Sequence, residues 1–121
     1  MLHRRVVIGG IAAAAFAGTA RAHHGWDWAE ETPFELIGVI KSAKLGNPHG
    51  ILTVTSKGED WTVEVGQPWR NQRAGLKDSM LVKGVELTVH GNRAKDSKLK
   101  VMKAARVIIK GQTYNLYPER S

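Results

Sequence analysis

Turn-forming residues cut this chain into short pieces, and their spacing decides what it can become. Gly46-Asn47-Pro48, Lys57-Gly58-Glu59-Asp60, Gly66-Gln67-Pro68, Lys83-Gly84 and the polar stretch 91–97 punctuate residues 34–116. The segments between them alternate apolar and polar residues with period two, the signature of half-buried strands. Leu52 and Val54 face one way and Thr53 and Thr55 the other; Trp61, Val63 and Val65 alternate with Thr62 and Glu64; Val85, Leu87 and Val89 share a face.

The spacing predicts strands over 34–45, 51–55, 61–65, 85–90 and 99–110, with a short edge strand over 112–116. Gly38 marks a bend or bulge in the first strand, and the phase slip at Ala104-Ala105 marks a bulge in the fifth. Pro68 suits the first turn of a helix, so Trp69 to Leu76 reads as two helical turns with Trp69, Arg73 and Leu76 on one side. Three strands, a short helix and two more strands is the order of a five-stranded Greek-key barrel of the OB type. The expected class is therefore all-β with one short helix, an OB-like barrel over 34–117 preceded by an irregular arm, 23–33.

The first 22 residues follow another logic. Met1-Leu2-His3-Arg4-Arg5 is short and positive; Val6 to Ala20 is uncharged and apolar, yet too short to span a bilayer. Ala20-Arg21-Ala22 then places small residues where a signal peptidase reads. The reading is a cleavable signal peptide, 1–22, a periplasmic protein and no stable membrane insertion after cleavage. The general secretory route is expected, with Arg4-Arg5 leaving the twin-arginine route open. Cleavage after Ala22 exposes His23. With the leader's arginines gone, the 18 Lys and Arg fall to 15 against 11 Asp and Glu, a mildly basic monomer. Export argues against nucleic acid as the partner. The absence of cysteine excludes disulfides and thiolate chemistry.

Chemistry concentrates in histidine. A chain starting at His23 offers an α-amine and an imidazole to one ion, and one or two further imidazoles complete a planar nitrogen set suited to Cu(II). His24 and His49, the latter at the end of the Asn47-Pro48 turn, are the candidate partners, with His90 on the outward phase of its strand a fourth. Asp27 and Glu30 stand near as hard-ligand candidates and read more simply as surface charges. Trp26 and Trp28 pack the arm onto the barrel or line a ligand site, and Trp61 and Trp69 read as core or rim aromatics. The alternative reading is a metal-free interaction module that binds a protein or an anionic ligand through the basic hairpin, with Lys98, Lys100 and Lys103 at its centre. No nucleophile with a base, carboxylate pair or phosphate loop marks an enzyme.

His23-His24-Gly25-Trp26, Gly46-Asn47-Pro48-His49, Trp61-Thr62-Val63-Glu64-Val65, the stretch Arg70 to Leu76, Val82-Lys83-Gly84-Val85 and Val89-His90-Gly91 occur in that order. The set resembles the small exported bacterial proteins of domain-of-unknown-function family 6152, over most of residues 23–116. The resemblance implies export and a compact β domain, and it puts His23, His24 and His49 on the family's His-His and Asn-Pro-His positions without assigning them a role. Gly25-Trp26 after the histidines, and Lys83-Gly84 where an acidic residue often follows the glycine, depart from the common pattern and remove no candidate ligand.

Overall fold

A computed structural model describes residues 25–120. Six strands follow the turn punctuation: β1 Phe34–Lys44, β2 Ile51–Ser56, β3 Glu59–Glu64, β4 Glu86–Arg93, β5 Val101–Ile109 and β6 Gln112–Asn115. Helix α1, Pro68–Ala74, lies between β3 and β4. The strands run in the order β3-β2-β1-β4-β5-β6, and a parallel pairing of β3 with β5 closes the first five into a barrel. This is the expected OB-like barrel, with β6 as its short edge.

Alternation on β2 and β3 sends Leu52, Val54, Trp61 and Val63 inward to meet Leu36, Ile40, Leu87, Val89, Met102 and Val107 in one core. Each fully buried Val or Leu contributes roughly 1.5–3 kcal/mol by its removal from water. The phase slip of β5 is a bulge: His90 pairs with Arg106 and Gly91 with Ala104, so Ala105 has no partner on β4. Its carbonyl instead accepts the N–H groups of Leu116 (2.9 Å) and Tyr117 (3.0 Å), seating the carboxy-terminal segment on the barrel. The bulge expected at Gly38 lies at Lys41, between the pairs Ile40–Val54 and Ser42–Thr53. Gly38 serves close approach, because a Cβ there would collide with the Thr55 carbonyl oxygen.

Helix α1 departs from its expected face. Leu76 is fully buried, but Trp69 is 49% exposed and Arg73 is exposed. The turn before α1 is fixed by Asn71, whose side chain accepts from the Gly66 N–H and donates to the Gly66 carbonyl, each at 3.0 Å. Two satisfied hydrogen bonds let this amide sit in the interior.

The arm packs on the barrel. Ala29 bridges to Ala94, Glu30 N–H donates to the Arg93 carbonyl at 2.8 Å, and Trp26 is buried. Among the described residues no helix is long and apolar enough to cross a membrane.

Candidate functional site

The turn between β1 and β2 carries His49, half-buried, directly after a cis Asn47–Pro48 bond. The backbone on its far side is fixed: Gly50 N–H donates to the Gly66 carbonyl (3.2 Å), and Val65 N–H donates to the Gly50 carbonyl (2.9 Å). Residue 64 precedes this clamp, and Glu64 is in register with Lys103 of β5. Their side chains form an ion pair at 3.1 Å, and Lys103 Nζ donates to the Gly25 carbonyl at 2.8 Å. The His49 turn, the end of β3 and the first described residue of the arm are therefore joined by consecutive contacts.

Lys103, a candidate ligand-binding residue of the basic hairpin by sequence, is 1% exposed and so not available to a partner. The bulge at Ala105 shifts the alternation of β5, and the arm and the carboxy-terminal segment cover the lysine. Its ammonium lies 4.9 Å from the Trp26 ring centroid and 5.5 Å from that of Tyr117, and these two rings meet edge to face at 5.1 Å. The guanidinium of Arg120 stacks on Trp26 at 3.8 Å and that of Arg70 on Tyr117 at 4.1 Å. Burial pushes the Tyr117 hydroxyl above the ordinary tyrosine range, against the opposing pull of Arg70. Glu64 and Arg70 stand in the ordered motifs, but nothing in the sequence marks them, Tyr117 or Arg120 as site residues, because no local signal brings the four together.

The remaining members of the basic hairpin are dispersed. Lys100 pairs with Glu59 at 3.3 Å, and Lys98 is exposed on a turn where its N–H donates to Asp96 Oδ1 at 3.0 Å. Lys98, Lys100 and Lys103 thus form no common patch. Trp26 and Trp28 both pack against the barrel, Trp26 buried and Trp28 half-buried; Asp27 is exposed and Glu30 half-buried.

His90 lies apart from His49, in the middle of a row that crosses three strands. Its Nε2 is 2.7 Å from Glu35 Oε2, and Arg106 Nε donates to its Nδ1 at 3.2 Å. An accepting Nδ1 leaves the proton on Nε2, which then donates to Glu35. Both ring nitrogens are engaged. His23 and His24 lie outside the described residues. Among the described residues no group of three or more His, Asp or Glu stands close enough to hold a metal ion.

The outward face of β2 and β3, where OB barrels hold oligonucleotides, carries Ile51, Thr53, Thr55, Asp60, Thr62 and Glu64. Hydrogen bonds from Lys41 (2.8 Å) and Thr55 (2.9 Å) hold the Asp60 carboxyl below the ordinary range. No aromatic ring among these six offers a base a stacking platform.

A second aromatic pair lies at the other end of the barrel. Phe34 and Trp61 are 5.1 Å apart with Arg93 over both, at 5.3 and 5.0 Å. They border a cleft of about 330 Å³ that also takes in Ile37, Lys57 and Glu59.

A family model described as a family of unknown function, DUF6152, matches residues 11–103. The chain belongs to this family. The match runs from the apolar stretch 6–20 through the Asn-Pro-His turn to Lys103 of β5, so the resemblance read from the ordered motifs holds. No curated protein matches the chain in sequence. Among solved structures, a DUF6152 chain of this form is similar to TiaS lacking its ZRD in complex with agmatine, at 16% identity and a TM-score of 0.51, over 69% of this chain and 26% of that one. It also resembles the mitochondrial single-stranded DNA binding protein Rim1 of S. cerevisiae (15% identity, TM-score 0.48, 65% of this chain and 94% of that one). The Stn1–Ten1 complex of S. pombe follows at 16% identity and a TM-score of 0.47, over 66% of this chain and 59% of that one. The chain spans only 18–26% of the length of the TiaS structures. At these identities the likeness is one of fold, and fold alone assigns no activity.

Proposed function

We propose that this DUF6152 protein is an exported, periplasmic copper-binding barrel, a carrier or buffer rather than a catalyst, whose ligands are His23, His24 and His49. One observation carries the reading. The His49 turn is clamped to Val65 and Gly66, and Gly25 is bound to Lys103, the partner of Glu64. His24 precedes Gly25 by one peptide step of about 3.8 Å, and His23 by two. In sequence the two histidines directly precede the residue that Lys103 holds, and the contacts of Lys103 and Glu64 lead on to the turn that carries the third.

The donor chemistry agrees. An α-amine and neutral imidazoles suit Cu(II), and the mature terminus presents the amine and an imidazole on one residue. His90 takes no part, because Glu35 and Arg106 occupy its ring. The alternative, a metal-free module that binds a protein or an anion through the basic hairpin, is weakened by the burial of Lys103 and the pairing of Lys100.

Protein processed to His23 is expected to bind one Cu(II) per chain. One residue added ahead of His23 displaces the amine and should weaken binding by at least the roughly 10–100-fold typical of lost supporting contacts around a metal. His49→Ala should do the same, and His90→Ala should leave the affinity unchanged. Equal Cu(II) affinity for the native and extended termini, measured by chelator competition, removes the reading.

A further inference from the structure

We propose that Lys103 is the positioning residue of the amino-terminal arm: its ammonium fixes the Gly25 carbonyl, and through it supports copper binding by the arm and the His49 turn. The second half of this statement rests on the copper reading; the first does not.

A lysine 1% exposed has to be accounted for. An ammonium withdrawn from water is tolerated only with a counter-charge and hydrogen-bond acceptors. Lys103 has Glu64 at 3.1 Å, the Gly25 carbonyl at 2.8 Å, and the faces of Trp26 and Tyr117. Two of these partners, Gly25 and Trp26, belong to the arm. If the lysine served only to stabilise the β3–β5 seam, Glu64 and solvent would be enough. The arm instead closes over the ammonium and takes one of its hydrogen bonds.

Gly25 is shaped for this contact. Its φ is +87°, a backbone conformation that residues with a side chain rarely adopt. A Cβ at this position would stand 2.8 Å from Lys103 Nζ, too close for the ammonium to keep its place. The glycine after the paired histidines thus makes the close approach of carbonyl and ammonium feasible. Farther along, the arm is held by Glu30 on Arg93 and by the bridge of Ala29 to Ala94. Lys103 is the fastening next to the histidines.

Two variants test this, each produced as protein starting at His23. Lys103→Met removes the charge and keeps an apolar chain of similar reach; Gly25→Ala leaves the barrel core untouched and disturbs the arm, through the strain of a side chain at φ +87° as well as through the crowded contact. Amide hydrogen exchange at Ala29 and Glu30, without metal, is expected to speed up by about tenfold or more in both variants, the scale of one charge-assisted hydrogen bond, while β2 and β5 keep their protection. Unchanged exchange at these amides overturns the positioning role. Cu(II) competition is expected to show at least about tenfold weaker binding in both, the lower end of the range for lost supporting partners. A loosened arm with undiminished copper affinity overturns the link from Lys103 to the histidines. If the native protein takes up no Cu(II), the copper reading fails and the exchange result still decides the fastening. If Lys103→Met does not fold, the double variant Lys103→Met with Glu64→Leu, which leaves no unpaired carboxylate, takes its place.

Discussion

The barrel carries two aromatic pairs at the same centroid separation, 5.1 Å, each faced by cations, and they serve different ends. Trp26 and Tyr117 are both sealed, each 7% exposed, and the ammonium beneath them is bound to a carboxylate and a carbonyl; of the second pair Trp61 is equally buried and Phe34 only half-buried. Phe34 and Trp61 line an opening of about 330 Å³, and their arginine reaches only loop carbonyls, those of Ser97 and Leu99 at 3.2 and 3.4 Å. One cluster fastens a segment of chain and the other floors a cleft. The difference follows from topology rather than composition. Trp61 sits on a barrel strand, whereas Trp26 comes from outside the barrel and has to be held there.

The largest expected effect separates the pairs by what lies beneath them. Trp61→Ala leaves a hole in the end of the barrel that β2 and β3 cannot close, and should cost about 3–5 kcal/mol. Trp26→Ala should cost clearly less, since the arm can fray and the five-stranded barrel stays intact. Denaturant midpoints at constant slope measure both. If Trp26→Ala costs as much as Trp61→Ala, the arm is an integral part of the core and the comparison breaks.

Next in size is the charge pair. Glu64→Gln keeps the shape and strips Lys103 of its counter-charge. Breaking a buried pair costs roughly 3–5 kcal/mol, and the 18% exposure of the Glu64 side chain puts the expectation at the low end, about 3 kcal/mol. Arg93→Met removes the corresponding cation of the open pair. Arg93 is half-buried and borders the cleft, so the loss should be about 1 kcal/mol, the scale of a partly exposed cation on a ring. Equal costs for the two variants in chemical denaturation would show that sealing makes no energetic difference.

The sequence made the barrel legible and left these two clusters hidden, for a physical reason. Alternation and turn chemistry are local, so Leu52, Val54, Trp61 and Val63 declared their faces and Pro68 declared a helix start. The Ala104-Ala105 slip could be read as a bulge because two small residues interrupt the alternation. What the bulge does is not local. It frees the Ala105 carbonyl for Leu116 and Tyr117 and lets the carboxy-terminal segment close over Lys103. Lys103 therefore looked like one more member of a basic run. Gly38 points the same way: its glycine marked a special position, but only the Thr55 carbonyl opposite shows that the need was space and not a bulge. Of the histidines, His49 could be placed on a turn from Asn47-Pro48 alone, whereas the partners of His90 come from strands 55 and 16 residues away.

The smallest expected effect is a titration, and it tests how dry the sealed pair is. Burial raises the Tyr117 pKa above 10.0, the ordinary tyrosine value, and Arg70 only partly offsets it. A raised value in the folded state means that the unfolded chain loses its proton first. The stabilising contribution is thus complete below the ordinary tyrosine value and is lost as the pH rises through the folded one. Ultraviolet titration of the phenolate should show one component above the ordinary range that disappears in Tyr117→Phe. The same variant should retain more of its neutral-pH stability in strong alkali than the native protein does. A native titration with both tyrosines at the ordinary value would mean that water reaches the Tyr117 hydroxyl freely, and the contrast between a sealed fastening and an open cleft would then rest on the lysine alone.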